Sequence, residues 1–227
     1  EKLKLSNDAK ELMNISLLTN AFSPQKNISR EEFLEFKSNW LMKNADLDLI
    51  ETYLIKNKII NSHTKLTKYF LDENLSLANI DEACELFKKN LEAINDDYIS
   101  KYNIYCLIRD NKIEEAQLIY DLKKELGFKD EYFEKKISYL FNFTSTIDEE
   151  ISEKSIFDFY LAHQTNPNFL FEPKETTKKI IWRYLSSANL LNSFKEIKIN
   201  DLDKISLVEK AVNNKNYPEK DLLNLYK

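Results

Sequence analysis

Apolar residues recur at the three- and four-residue spacing of amphipathic helices almost from one end of this chain to the other. The segment LSNDAKELMNISLLTNAF predicts a helix that starts after Ser6 and carries Leu12, Ile15 and Leu18 on one face. Pro24 breaks the chain, and ISREEFLEFKSNWLMKN follows as a second helix. Ser29 and Glu32 there have the spacing of a capping box, in which each side chain satisfies an orphan backbone donor at the helix start. Phe33, Leu34, Phe36, Trp40 and Leu41 supply its apolar surface.

From there the spacing becomes regular. Helix starts are predicted near Leu47, Ser62, Ile80, Asp97, Ile113 and Asp130, so that a helical pair returns about every 33 residues. LDLIETYLIKNKI, IDEACELFKKNLE and IEEAQLIYDLKKE overlay at that offset. Their first positions are Leu47, Ile80 and Ile113, and their fourth positions are Ile50, Ala83 and Ala116. Tyr53, Leu86 and Ile119 share the seventh position, and Leu54, Phe87 and Tyr120 the eighth. In the partner helices Leu71, Ile104 and Ile137 share one offset. Such a helix has one apolar stripe. A lone hairpin cannot bury it on both sides, whereas stacked hairpins can. Gly127 follows AQLIYDLKKEL, where a left-handed residue ends a helix, and Asp130 caps the next one.

After Asn142 the regularity is lost. FTSTIDEEISEKS reads as a connector, Ile156 to Gln164 as a helix and PNFLFEPKE as extended. ETTKKIIWRYLSSANLL, LDKISLVEKAVNN and PEKDLLNLYK read as three more helices, with Pro218 suited to the first turn of the last. The predicted fold is all-α: a right-handed α-solenoid of stacked, tetratricopeptide-like helical hairpins with about twelve helices. Residues 1–142 form the helical-repeat region, and residues 143–227 a C-terminal helical region packed on it or continuous with it.

Composition narrows the function. Hydrophobic residues make up 43% and aromatics 12% of the 227 residues, enough to build a core. No apolar run reaches the roughly 18 residues of a membrane span. The start Glu1-Lys2-Leu3-Lys4 lacks a signal peptide and an initiator Met, which reads as a processed form or a fragment. The net charge is -5, the 33 basic residues are interleaved with 38 acidic ones, and nearly all the bases are Lys, so nucleic acid is not the expected partner. Gly127 is the only glycine, which excludes phosphate-cradling glycine loops; helical turns use Asn, Asp and Ser instead.

Catalytic chemistry has little to stand on. His63 and His163 lack metal-ligand spacing and read as exposed or capping residues. The acid pairs Asp96–Asp97 and Glu149–Glu150 read as solvated faces, because adjacent helix residues do not face one another. No catalytic residue, metal site or cofactor is assigned. Cys84 and Cys106 fall on the two helices of one hairpin, at matching heights about its turn. That spacing admits either a disulfide or two buried, reduced thiols, and a bridge would imply an oxidising compartment. Tyr98, Tyr102 and Tyr105 recur at helical spacing and read as core. The cluster of Phe157, Phe159, Tyr160, Phe169 and Phe171 holds the candidate partner-binding residues Tyr160, Phe169 and Phe171, around an apolar, non-helical stretch flanked by prolines.

The stretch from Asp81 to Leu140 resembles a family of large alphaproteobacterial helical-repeat proteins, some of which carry an "antifreeze" label. The resemblance rests on Glu82-Ala83-Cys84, Tyr105-Cys106, Ala116 with Leu118 and Leu122, Glu125 and Gly127, then Asp130 and Phe133, and on the tail from Leu207 to Lys227. Lys124 stands where the family commonly has Arg. The matching motifs are packing motifs. The label is not carried over, because ice binding needs flat arrays of small residues such as Ala and Thr. The resemblance implies a helical-repeat protein, exported or periplasmic, with a cytoplasmic location as the alternative, and it favours a Cys84–Cys106 bridge. The expected function is a non-catalytic protein–protein interaction scaffold with a protein or peptide partner, as a subunit or segment of a cell-envelope assembly. The alternatives are an enzyme on a helical superhelix acting on cell-wall glycan, and a spacer segment of a longer repeat protein.

Overall fold

The computed structural model describes residues 5–18, 24, 26–90, 92–191, 197, 200–215 and 217–226, and every regular element among them is an α-helix. In chain order these are α1 (Asn7–Leu18), α2 (Arg30–Asn44), α3 (Leu47–Lys56), α4 (Thr64–Ser76), α5 (Ile80–Lys88), α6 (Asp97–Arg109), α7 (Ile113–Glu125), α8 (Glu131–Leu140), α9 (Ile156–Thr165), α10 (Lys179–Ser187), α11 (Leu202–Asn213) and α12 (Glu219–Leu225). The protein is all-α. Glu1–Lys4 and Thr19–Phe22 lie outside the described residues.

Local chemistry sets the helix starts. Ser29 and Glu32 form the capping box, with Glu32 N–H donating to Ser29 Oγ at 3.1 Å and Ser29 N–H to Glu32 Oε2 at 2.8 Å. Asp46 accepts from Leu49 N–H at 2.8 Å, and Asp130 from Phe133 N–H at 2.9 Å. Leu47, Ile80, Asp97 and Ile113 are each the first residue of a helix, as the spacing predicts; α4 begins two residues after Ser62 and α8 one after Asp130. Pro218 takes the N-cap of α12, one place before the first turn.

The helix ends explain how one glycine suffices. Backbone φ is +51° at Lys58, +60° at Ala78, +59° at Asn111, +95° at Gly127, +60° at Asn142, +60° at Asn189 and +57° at Lys215. These residues close α3, α4, α6, α7, α8, α10 and α11. Six of the closures share one pair of hydrogen bonds, seen at α4 as Ala78 N–H to the Leu75 carbonyl (3.0 Å) and Asn79 N–H to the Asn74 carbonyl (2.9 Å). This is the Schellman motif, which satisfies orphan carbonyls at the cost of a left-handed residue. Asn takes that position three times, as short polar side chains tolerate it. Lys58, Ala78 and Lys215 take it where Asp or Ser is expected.

Residues 1–71 and 84–103 form one compact unit, and residues 72–83 and 104–227 another. In the first, Leu41, Ile50, Leu54, Leu66, Leu71, Leu86 and Ile99 are fully buried. There α1 lies on α2, and Trp40 Nε1–H donates to Asn14 Oδ1 at 2.9 Å. In the second, α8 packs on α9, α9 on α10 and α11 on α12, and Ala116, Phe133, Ile137, Phe157, Phe159, Leu161, Ile181 and Leu185 are fully buried.

Two predicted faces are corrected. Leu12 and Ile15 of α1 are 66% and 55% exposed, and the helix buries Leu17 instead. In α2 the buried residues are Lys37, Ser38 and Leu41, while Phe36 is largely exposed. Phe36 lies roughly 140° around the helix axis from Leu41, so one face cannot hold both.

A left-handed L-residue costs about 1 kcal/mol or more relative to glycine. Ala78→Gly is therefore expected to raise the unfolding free energy by about 1 kcal/mol, and Gly127→Ala, where nothing lies within 4 Å of the added carbon, to lower it by a similar amount. Urea denaturation of the two variants beside the parent chain reads both signs.

Candidate functional sites

Burial decides what the aromatic cluster can do. Ser155 Oγ accepts from Asp158 N–H at 3.0 Å and starts α9, and the helix that follows is buried nearly all round. Tyr160 is 4% exposed. Its hydroxyl sits 2.9 Å from that of Tyr105 and accepts from Arg109 Nη1 at 3.4 Å, while Arg109 Nη2 pairs with Asp81 at 2.5 Å. Burial pushes the Tyr105, Tyr160 and Tyr184 phenols up, so the network holds neutral hydroxyls against one guanidinium.

Phe169 and Phe171 meet Phe159 edge-on, with ring centroids 5.5 Å and 4.8 Å away. Of the candidate partner-binding residues, Tyr160 is thus buried, while Phe169 and Phe171 are half-buried against Phe159. The segment is non-helical, and side chains of extended backbone alternate sides. Residues 169 and 171 turn inward, and Leu170 between them is 80% exposed.

The histidines are not surface residues either. His63 is 4% exposed, with Ser38 Oγ 3.2 Å from Nδ1 and Tyr53 Oη 3.3 Å from Nε2. The Lys37 ammonium lies 4.4 Å over the Tyr53 ring. Burial, and then the Lys37 charge, hold His63 down at about 4. A histidine so depressed is neutral and weakly basic near pH 7, so this Ser–His–Tyr contact is a packed polar knot. His163 is half-buried, 2.5 Å from Tyr184 Oη and against Phe169. Asp96 caps α6 through the Tyr98 and Ile99 N–H groups.

Cys84 and Cys106 are both disulfide-bonded and 4% exposed. Lys136, whose side chain is 0% exposed, ties the connector after α8 to the helix. Its ammonium donates to the carbonyls of Asp148 (2.5 Å) and Glu150 (2.8 Å), lies 3.6 Å from Asp148 Oδ2 and sits over the Tyr132 ring. Burial lowers its proton affinity, and Asp148 partly restores it.

Two surface features remain. An open groove of about 570 Å³ is lined by Leu77, Arg183, Ser187, Val212, Lys215 and Tyr217, and Arg183 Nη2 is committed there to Glu73 at 2.7 Å. The other feature is the outer face of α7. Ala116, Tyr120 and Lys123 are buried, yet Leu118, Leu122 and Leu126 are 61%, 49% and 83% exposed. They are spaced by four residues and form one ridge. Glu114, Glu115, Asp121 and Glu125 stand exposed around it. Sequence reasoning took Leu118 and Leu122 as packing residues. The available signal was a second apolar stripe, since Leu122 lies roughly 160° around the axis from Tyr120.

Among the described residues no helix is long and apolar enough to cross a membrane, and no group of three or more His, Cys, Asp or Glu residues is placed to hold a metal ion. In comparisons with known proteins, no family model, curated protein or solved structure matches the chain.

Because His63 has its folded pKa below the ordinary 6.5, the unfolded chain binds more protons between pH 6.5 and about 4. Its contribution to stability is fully present above that window and declines as pH falls through it. His63→Asn is expected to flatten the acid side of the urea-midpoint profile. Lys136→Met leaves the Asp148 and Glu150 carbonyls without their donor and is expected to lower stability by about 2–3 kcal/mol. Limited proteolysis should then cut first within residues 143–155.

Proposed function

We propose that this protein is a non-catalytic protein-interaction scaffold, an α-solenoid of tetratricopeptide-like hairpins that acts as a subunit or segment of a cell-envelope assembly. The observation that carries the reading is the ridge of Leu118, Leu122 and Leu126. Three exposed leucines in line on a helix whose other face is already buried form a surface suited to a partner. The hairpin arrangement is supported by helix starts at Leu47, Ile80 and Ile113, 33 residues apart, and at Thr64, Asp97 and Glu131. The disulfide-bonded state of both cysteines supports an oxidising compartment. Glu32 and Glu85 are held low by Ser29 and by Lys88, the reverse of what a general acid requires.

The test is capture and reconstitution. The chain, cross-linked in an envelope extract of its source, should retain a partner that rebinds stoichiometrically when purified. Leu118→Asp with Leu122→Asp should weaken that rebinding by at least about tenfold, without loss of helical signal. If nothing rebinds the parent chain, or the double variant binds equally well, the reading fails.

A further inference from the structure

We infer that the outer face of α7 is a docking site for an amphipathic helix of a partner protein, with leucine-class residues along its centre and Lys or Arg along its edges. This deepens the scaffold reading and rests on it. The occupant follows from three features of the surface: ridge geometry, backbone state and charge.

Leu118, Leu122 and Leu126 rise about 6 Å per step along the axis, the i±4 ridge that seats in the groove of a second helix at 8–10 Å. An extended peptide would need free backbone donors and acceptors, as at a sheet edge. The middle of α7 has spent its backbone groups within the helix, so it presents side chains only.

Charge sets the rim. By helical spacing Glu114, Asp121 and Glu125 line one flank of the leucines and Glu115 stands a turn before Leu118, all exposed, and the nearby cations are largely drawn away from that face. Lys123 is buried, Lys124 pairs with Glu134 at 2.6 Å, and Lys112 reaches towards the rim, 3.9 Å from Glu115. A second copy of the same face would set acid against acid around the leucines, whereas a basic-edged helix pairs with them. The net charge of -5 steers such a helix in the same direction.

The experiment uses the full chain and two labelled synthetic helices that share a leucine face, one edged with Lys and one with Glu, followed by fluorescence anisotropy. The Lys-edged helix should bind at least about tenfold more tightly, and raising the salt should narrow that ratio. Leu118→Asp with Leu122→Asp should weaken it by about 30-fold. Asp121→Lys with Glu125→Lys, which leaves the leucines in place, should reverse the preference. Equal binding of both helices, no binding of either, an unreversed preference in the charge variant, or self-association of the chain that Leu122→Asp abolishes would each overturn the proposal. A purified native partner that rebinds while neither helix does leaves the scaffold reading standing and removes this one. Binding of the Lys-edged helix with no native partner recovered does the reverse.

Discussion

The fourth position of α3, α5 and α7 is closed to solvent in each helix, and it sets which face that helix turns inward. Ile50, Ala83 and Ala116 occupy it, and each is 0% exposed. A position with no solvent access fixes the rotation of its helix. It also explains the side-chain sizes, since alanine lets a neighbouring backbone approach and leaves no cavity behind. With the rotation set, the eighth position must follow inward, and Leu54, Phe87 and Tyr120 do, at 0%, 9% and 6% exposure. The seventh begins to drift at α7, where Ile119 is only half-buried. That rotation is also what carries Leu118 and Leu122 to the outside.

A lysine-rich chain with one glycine solves two further problems with residues poorly suited to them. Left-handed helix ends are filled by Lys58, Ala78 and Lys215 beside the better-suited asparagines, and each spends backbone strain that tertiary burial offsets. Interior lysines are handled in different ways. Lys136 is surrounded by carbonyl oxygens and a carboxylate, so its charge replaces lost hydration with fixed dipoles and rigidifies a connector that has no helix of its own. Lys37 has the Tyr53 ring face instead, and its charge adds to the burial that keeps His63 from taking a proton.

Sequence periodicity located the helices well and their faces unevenly, and the physics separates the two. Helix starts depend on capping groups within four residues, so Ser29 and Asp130 could be read directly, as could the left-handed Gly127. Faces depend on what lies opposite in space. In α1, adjacent leucines at 17 and 18 leave the phase of the stripe ambiguous, and the structure takes Leu17. The aromatic stretch after α9 shows the same dependence: alternation turns Phe169 and Phe171 towards Phe159, where they are half-buried, and exposes the leucine between them. His63 was illegible because its partners, Ser38 and Tyr53, lie on other helices.

The α7 ridge shows what a composition-level reading conceals. Apolar residues on a helix count alike whether they face a core or water, so two stripes on one helix look like one broad, well-buried face. The acids between them break that symmetry. Glu114, Asp121 and Glu125 would be costly to bury without partners, so the side of α7 that holds them stays at the surface and takes the leucines with it. On the proposed docking face the same acids would set like charge against like charge when two copies meet, which disfavours self-stacking. An interaction surface that must avoid its own copies needs both parts: an apolar ridge for affinity and a single-sign rim for choice of partner.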